Sequence, residues 1–182
     1  MSTLITGNDL HKLIDAGVID ARHEHVNGSS IDVRLGSQIL YEAKGNSSAV
    51  NLADKELPRM HSLNLDEQRN RAATIYPGQF VLAHTVEIFN LPDYVSTEFK
   101  LRSSVARAGL NHSLAGWCDP GWHGSHLTLE LKNILEHQPL IITAGMRIGQ
   151  MVFYRHACVD TSHSYANRGR YNGRIGVSRE AV

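Results

Sequence analysis

The first sustained alternation of apolar and polar residues runs from Val26 to Gly36, with Ile31, Val33 and Leu35 on one face and Asp32 and Arg34 on the other. A period of two bounded by turn residues predicts a strand, and Gln38 to Glu42 continues in the same style. Upstream, Thr6-Gly-Asn-Asp9 reads as a capping box that opens a short amphipathic helix, Leu10 to Ala16, stopped by Gly17. The stretch from Ala43 to Ala72 is rich in Asn, Ser, Asp, Glu and Arg without a period, and predicts loops with one short element. Beyond it, β-rich runs recur: Phe80 to Phe89, Val95 to Leu101, Leu114 to Cys118, His126 to Ile134, Pro139 to Thr143 and Arg147 to His156. Turn signals such as Pro77-Gly78, Leu91-Pro92-Asp93 and Asp119-Pro120-Gly121 separate them. Leu114 to Cys118 and His126 to Ile134 are expected to pair as a hairpin across that last turn. Many short, evenly spaced strands predict a mainly β domain of barrel or jelly-roll type over residues 1–161. The Gly-, Arg-, Asn- and Tyr-rich segment 162–182 cannot supply core, and reads either as a flexible lid or as a disordered terminus.

One stretch breaks the β pattern. Leu101-Arg102-Ser103-Ser104-Val105-Ala106-Arg107-Ala108-Gly109 predicts a short central helix, with Ser103 or Ser104 as N-cap and Gly109 as the stop. On it Ser103 and Arg107 share a face, and Arg102 and Arg107 offer forked donors suited to phosphate oxygens. The residues alone equally allow a capped surface helix with solvated arginines.

Composition narrows the partners. With 18 Lys+Arg against 18 Asp+Glu, no global field draws the chain to nucleic acid or an anionic membrane, so an anion site has to be local. No apolar run approaches a membrane span, and the N-terminus lacks signal-peptide features. Cys118 and Cys158 form neither a disulfide framework nor a CxxC pair, so a reducing cytoplasm is expected. The histidine clusters His23-Glu24-His25 and His123/His126 make no HExxH, and no PCxxC completes a zinc-deaminase pattern. No P-loop and no GxGxxG is present.

In His126-Leu-Thr-Leu-Glu-Leu-Lys132 the leucines 127, 129 and 131 share one face, which puts Glu130 on the other with His126, Thr128 and Lys132. Glu130 is then an ordinary exposed acid or, if that face lines a cleft, a proton shuttle. Asp119 is either a turn acid between Trp117 and Trp122 or an acceptor for a sugar hydroxyl or a water. Gly121 and Gly124 are expected to admit a base or sugar close to the backbone.

Taken together, these residues resemble the dCTP deaminase family of the trimeric dUTPase superfamily. The anchors are Gly28-Ser-Ser-Ile-Asp-Val-Arg-Leu-Gly36, Tyr76-Pro-Gly-Gln79, Arg102-Ser-Ser-Val-Ala-Arg-Ala-Gly109, Ala115-Gly-Trp-Cys-Asp-Pro-Gly121, Leu127-Thr-Leu-Glu-Leu131, Gly145-Met-Arg-Ile-Gly-Gln150 and Arg170-Tyr-Asn-Gly173. The resemblance implies a distorted β-barrel or jelly-roll subunit, a homotrimer with interfacial active sites, and zinc-independent hydrolysis of dCTP to dUTP and ammonia. It makes Glu130, Ser103 and Arg107 the catalytic group, with Glu130 moving protons and the other two holding the water and the tetrahedral centre. It assigns Arg102 and Ser104 to the triphosphate, Asp119 and the backbone near Ala115 to the sugar and base, and Trp117 and Gln150 to substrate binding. Arg170, Tyr171 and Arg174 are assigned to closure from the tail. Mg²⁺ is expected on the substrate phosphates rather than on protein side chains, and dTTP as an inhibitor.

Alternatives within the same resemblance are a bifunctional enzyme that also cleaves the triphosphate to give dUMP, and a non-catalytic nucleotide-binding trimer. Gly116-Trp117 stands where some strictly deaminating members carry His-Arg, and so leaves bifunctionality open. Asn172 replaces a more usual Gln, and Cys118 a more usual aliphatic. The interval from Asp119 to Glu130 is one residue longer than usual, with Ser125 as the extra. A one-residue slip reverses the facing of a strand, so a bulge is required to keep Glu130 where the resemblance puts it.

Overall fold

Twelve strands and three short helices, each set numbered in chain order, make up the computed structural model, which describes residues 3–45 and 49–179. The first sheet gathers on β12, Arg147–Arg155, whose Ile148, Met151 and Phe153 are buried. Along one edge β12 pairs antiparallel with β7, Val95–Leu101. The other edge is shared: β1, Thr3–Leu4, pairs with Tyr154 and Arg155, and β2, Ile31–Arg34, with Arg147 to Met151. A short β9, Trp117–Cys118, completes this sheet against β7.

The second sheet runs β4 (Met60–Asn64), β3 (Gln38–Glu42), β6 (Phe80–Asn90), β10 (His123–Asn133) and β8 (Leu110–His112). A small ribbon joins β5, Ala72–Ile75, to β11, Leu140–Thr143. Phe89, Leu129 and Leu131 from the second sheet and Ile31, Met151 and Phe153 from the first belong to one continuous apolar core. Each such side chain taken wholly out of water contributes about 1.5–3 kcal/mol. Among the described residues no helix is long and apolar enough to cross a membrane.

Several expectations change here. The predicted hairpin is absent, because β10 pairs with β6 and β8 while β9 pairs with β7. Only Trp117–Cys118 of the expected Leu114–Cys118 strand is extended, since Leu114 turns the chain at φ 64. Helix α1, Asn8–Asp15, starts without a side-chain cap: Gly7 at φ 54 takes the cap position, and the Asp9 carboxylate pairs instead with Lys12 at 2.7 Å. Helix α2, Ser103–Arg107, has Arg102 at its N-cap, and both serines lie within its first turn. Gly109, at φ 93, follows it as the expected stop. The supposed loop segment up to Ala72 holds β4 and two 3-10 turns, and the expectation for residues 46–48 falls outside the described residues.

The register between β10 and β6 shifts twice. His123 opposes Asn90 and Ser125 opposes Phe89, so Gly124 is an extra residue on β10. Farther on, His126 opposes Ile88 and Thr128 opposes His84, which leaves residues 85–87 opposite Leu127 alone. The looped-out β6 residues are satisfied locally: Thr85 Oγ1 accepts from Leu127 N at 3.0 Å, and the fully buried Glu87 carboxylate accepts from Arg34 N and Nε, each at 2.8 Å. The bulge in the interval after Asp119 thus falls at Gly124, not at Ser125 as expected, because Ser125 is paired with Phe89, while the second irregularity places its excess on β6.

The last part of the chain folds back on this strand. Helix α3, Tyr165–Arg168, is capped by Ser164, whose hydroxyl accepts from Ala166 N at 3.2 Å and donates to Asp93 Oδ1 at 2.5 Å. Gly173 N donates to His123 O, His126 N to Arg174 O, and Gly176 N to His126 Nδ1, all at 2.9–3.0 Å. Val177 N reaches Gln38 Oε1 at 2.9 Å and Ser178 N reaches Thr128 Oγ1 at 3.0 Å. The fully buried Ser125 hydroxyl bridges the two segments, accepting from Arg174 N at 3.1 Å and donating to Tyr171 O at 2.7 Å. A segment expected to contribute no core thus buries Ser164 and packs Tyr165 against the core. Residues 180–182 of the expected lid lie outside the described residues.

Two outcomes follow from this packing. Leu129→Ala lowers unfolding free energy by about 2–5 kcal/mol in denaturant titration, whereas Lys132→Ala, on the exposed side of the same strand, stays within about 0.5 kcal/mol. The second concerns pH. His126 Nδ1 accepts from Gly176 and is therefore unprotonated in the docked state, and burial, with the His84 ring a lesser cause, holds its pKa down to about 4 from an ordinary 6.5. A group depressed in the docked state supports docking above its ordinary value and withdraws that support as pH falls through the depressed one. Hydrogen-exchange protection factors at Gly176 and Ser178 therefore fall between pH 6.5 and about 4, while those of Leu129 and Leu131 hold.

Candidate active site

Burial of Leu127, Leu129 and Leu131 turns Thr128 and Glu130 to the opposite face of β10, where they line a cavity of about 580 Å³. The Glu130 side chain is 26% exposed, so it is half-withdrawn from solvent without being sealed off. Across from it the 115–122 segment supplies Ala115, Trp117, Cys118 and Asp119. Trp117 Nε1 donates to Asp119 Oδ1 at 3.1 Å, which fixes the acid at the mouth of its turn. Burial, with the Asp119 charge beside it, pushes the Cys118 thiol far up, so Cys118 is an inert, neutral wall.

The tail forms the roof through Tyr165, Tyr171, Arg174, Ser178 and Arg179. Burial raises the Tyr165 phenol, which keeps it a neutral donor. Arg174 Nε is buried without a partner, and so is Glu130 Oε2. Unpaired buried polar atoms of opposite charge in one cavity are costly unless a ligand satisfies them. Arg174 Nε therefore calls for an acceptor on a bound molecule, while Glu130 Oε2 also has His112 Nε2 3.3 Å away. Leu57, Pro58 and Met60 close a further side, with Arg179 donating to Pro58 O.

Of the residues singled out from the sequence, Ala115, Trp117, Asp119, Glu130, Tyr171 and Arg174 meet in this cavity. Arg102, Ser103, Ser104, Arg107, Gln150 and Arg170 do not line it. Helix α2 buries none of its residues, and Ser103, Ser104 and Arg107 stand exposed. Arg102 lies instead beside Asp32, which is 3% exposed. Asp32 Oδ2 is 3.6 Å from Arg102 Nη1 and 3.2 Å from Arg147 Nη1, and Oδ1 accepts from Asn27 Nδ2 at 3.0 Å. Gln150 Oε1 accepts at 3.2 Å from Ser30 Oγ, just ahead of β2. Two guanidiniums held on one buried carboxylate leave a net positive corner suited to phosphate.

The two glycines expected to admit a nucleotide admit the tail instead. A Cβ on Gly121, at φ 86, would strike the Ser164 hydroxyl, and one on Gly124 would touch Gly173. Arg170 is exposed on the outer side of this tail. Arg179, Leu57 and Met60 were not legible as site residues, because the end of the tail and an aperiodic segment carry no pattern that says what they cover. Among the described residues, no three His, Cys, Asp or Glu side chains converge into a group that could hold a metal ion.

The chain is similar to several known proteins. A protein of Methanosphaerula palustris named "dCTP deaminase, dUMP-forming" is 34% identical over 149 residues, which are 81% of this chain and 77% of the relative. One of the same name from Aquifex aeolicus is 36% identical over 178 residues, 96% of this chain and 92% of the relative. Among solved structures, the 2'-deoxycytidine 5'-triphosphate deaminase of Agrobacterium tumefaciens superposes with a TM-score of 0.65 at 20% identity, over 88% of this chain and 51% of that one, and shows a shared fold. The family model described as dCTP deaminase-like matches residues 4–156, and on that match the chain belongs to the dCTP deaminase family.

Proposed function

We propose that the protein removes the amino group of dCTP and carries the product on to dUMP, with Glu130 as the proton carrier of the first step. The observation behind this reading is a strand carboxylate turned by its leucine neighbours into a cavity, with one oxygen unpaired. Water adds to C4 of cytosine while Glu130 takes one of its protons and passes it to N3. The second water proton leaves with the exocyclic amine as ammonia when the C4–N bond breaks, and C4 keeps the oxygen. A carboxylate in a partly desolvated site suits both halves of this transfer.

Ser103 and Arg107 are the groups proposed to hold the water and the tetrahedral centre, yet in this chain they do not line the cavity that contains Glu130. The proposed solution is a homotrimer in which α2 of one copy faces the cavity of the next. Arg102 and Ser104 would then meet the triphosphate, while Asp119 accepts from the sugar. Mg²⁺ would be held by the phosphates of the nucleotide and would supply charge neutralisation there, with Arg102 and Arg147 at hand for the phosphates. The Arg102–Asp32–Arg147 corner fits that role, because its carboxylate is already paired with two guanidiniums. Thymine deoxynucleoside triphosphate is proposed as an inhibitor of the same cavity.

Formation of dUMP rather than dUTP rests on the name carried by the relatives and on the pair Gly116-Trp117, of which Trp117 lines the cavity. Cleaving dUTP with water gives dUMP and pyrophosphate, so the two readings differ in product. Incubation with dCTP and Mg²⁺ is expected to yield ammonia, dUMP and pyrophosphate together. Accumulation of dUTP without pyrophosphate would reduce the activity to deamination alone. Glu130→Gln is expected to lose ammonia release by about 10²-fold or more while dCTP binding survives. Undiminished ammonia release by that variant would remove the proton carrier from the proposal.

A further inference from the structure

Strand β8 ends at His112, whose ring is buried and stands against Phe99 with centroids 4.7 Å apart and planes at 55°. Phe99 is itself confined, because Gly116 and Gly149 press on it so closely that a Cβ on either would collide with it. The ring of His112 thus has a rigid backing. Its Nε2 lies 3.3 Å from Glu130 Oε2, and neither atom has any hydrogen-bond partner although both are buried. The strands hold the two residues together: Leu131 opposes His112, and Ser113 N donates to Glu130 O at 3.0 Å.

From this geometry we infer that His112 is a positioning residue for Glu130, its Nε2–H closing on Oε2 when substrate fills the cavity and leaving Oε1 to handle the proton. Two buried polar atoms that each lack a partner and face one another at 3.3 Å are each other's available partner. Hydrogen bonds that serve catalysis are often long or misaligned in the empty site and tighten with substrate bound. Without such a tether the carboxylate swings on a rotatable side chain, and a misplacement of about 1 Å is enough to cost a proton transfer heavily. The role of His112 rests on the deaminase reading of Glu130, while its contact with Glu130 does not.

The test has two arms in the full-length protein. In the kinetic arm, His112→Leu keeps an apolar filler against Phe99 but removes the donor, and His112→Gln restores an N–H near the Nε2 position. The expected result is a fall of about 10- to 100-fold in kcat for ammonia release in His112→Leu, with KM for dCTP unchanged and most of kcat recovered in His112→Gln. Equal losses in both variants, no loss in either, or a rise in KM with kcat intact would overturn the assignment. In the second arm, imidazole ¹⁵N signals of His112 are compared between the parent protein and Glu130→Gln with no nucleotide present. A change at His112 without one at His84, which stacks on His126, is expected, and identical His112 signals would sink the contact itself. If His112→Leu does not fold, His112→Gln and the ¹⁵N comparison decide. If the parent protein releases no ammonia from dCTP, the deaminase reading fails, and the ¹⁵N arm still reports on the pairing.

Discussion

The ladder between β6 and β10 carries the constraint from which the rest of the site follows. Leu127, Leu129 and Leu131 must stay in the core, and the pleat then leaves Glu130 no direction except the cavity. That outcome depends on register, because one uncompensated residue would bury the acid and expose the leucines. The bulge beside Gly124 takes up the extra residue of β10, and the loop of residues 85–87 takes up the opposite excess on β6. Each irregularity is tied down chemically, the first by the Ser125 hydroxyl against the tail and the second by Glu87 against Arg34.

Buried acids organise the molecule in a second way. Asp32 and Glu87 are both nearly or wholly inaccessible, and each is matched to arginine. Breaking such a pair leaves an uncompensated buried charge, a change that typically costs about 3–5 kcal/mol. Glu87 secures the bend of β6 beneath the tail. Asp32 gathers Arg102 and Arg147 at the end of β7 where α2 begins. Glu130 differs from both in having no arginine, only the facing His112 and the cavity.

The tail couples these regions. It runs over β10, meets Gln38 of β3 and reaches Pro58 through Arg179, so it touches both the strand that carries Glu130 and the loop that closes the cavity. Its contacts include backbone amides of Arg174, Gly176, Val177 and Ser178 donating to side-chain acceptors, the His126 ring among them.

The alternation of residues 127–132 was legible from the amino acids alone, since period-two patterning needs only local chain geometry. So were the short helices around residues 8–15 and 103–107, the stop at Gly109 and the need for a bulge after Asp119. Which strands pair was not, because hydrophobic alternation says which face is buried and nothing about which edge is its neighbour. The expected hairpin of β9 with β10 failed for that reason. Tertiary structure alone decided that Gly121 makes room for the tail, that Leu57 and Met60 wall the cavity, and that His112 faces Glu130. It also separated α2 from the cavity, since a sequence gives the residues of a site without the distances between them.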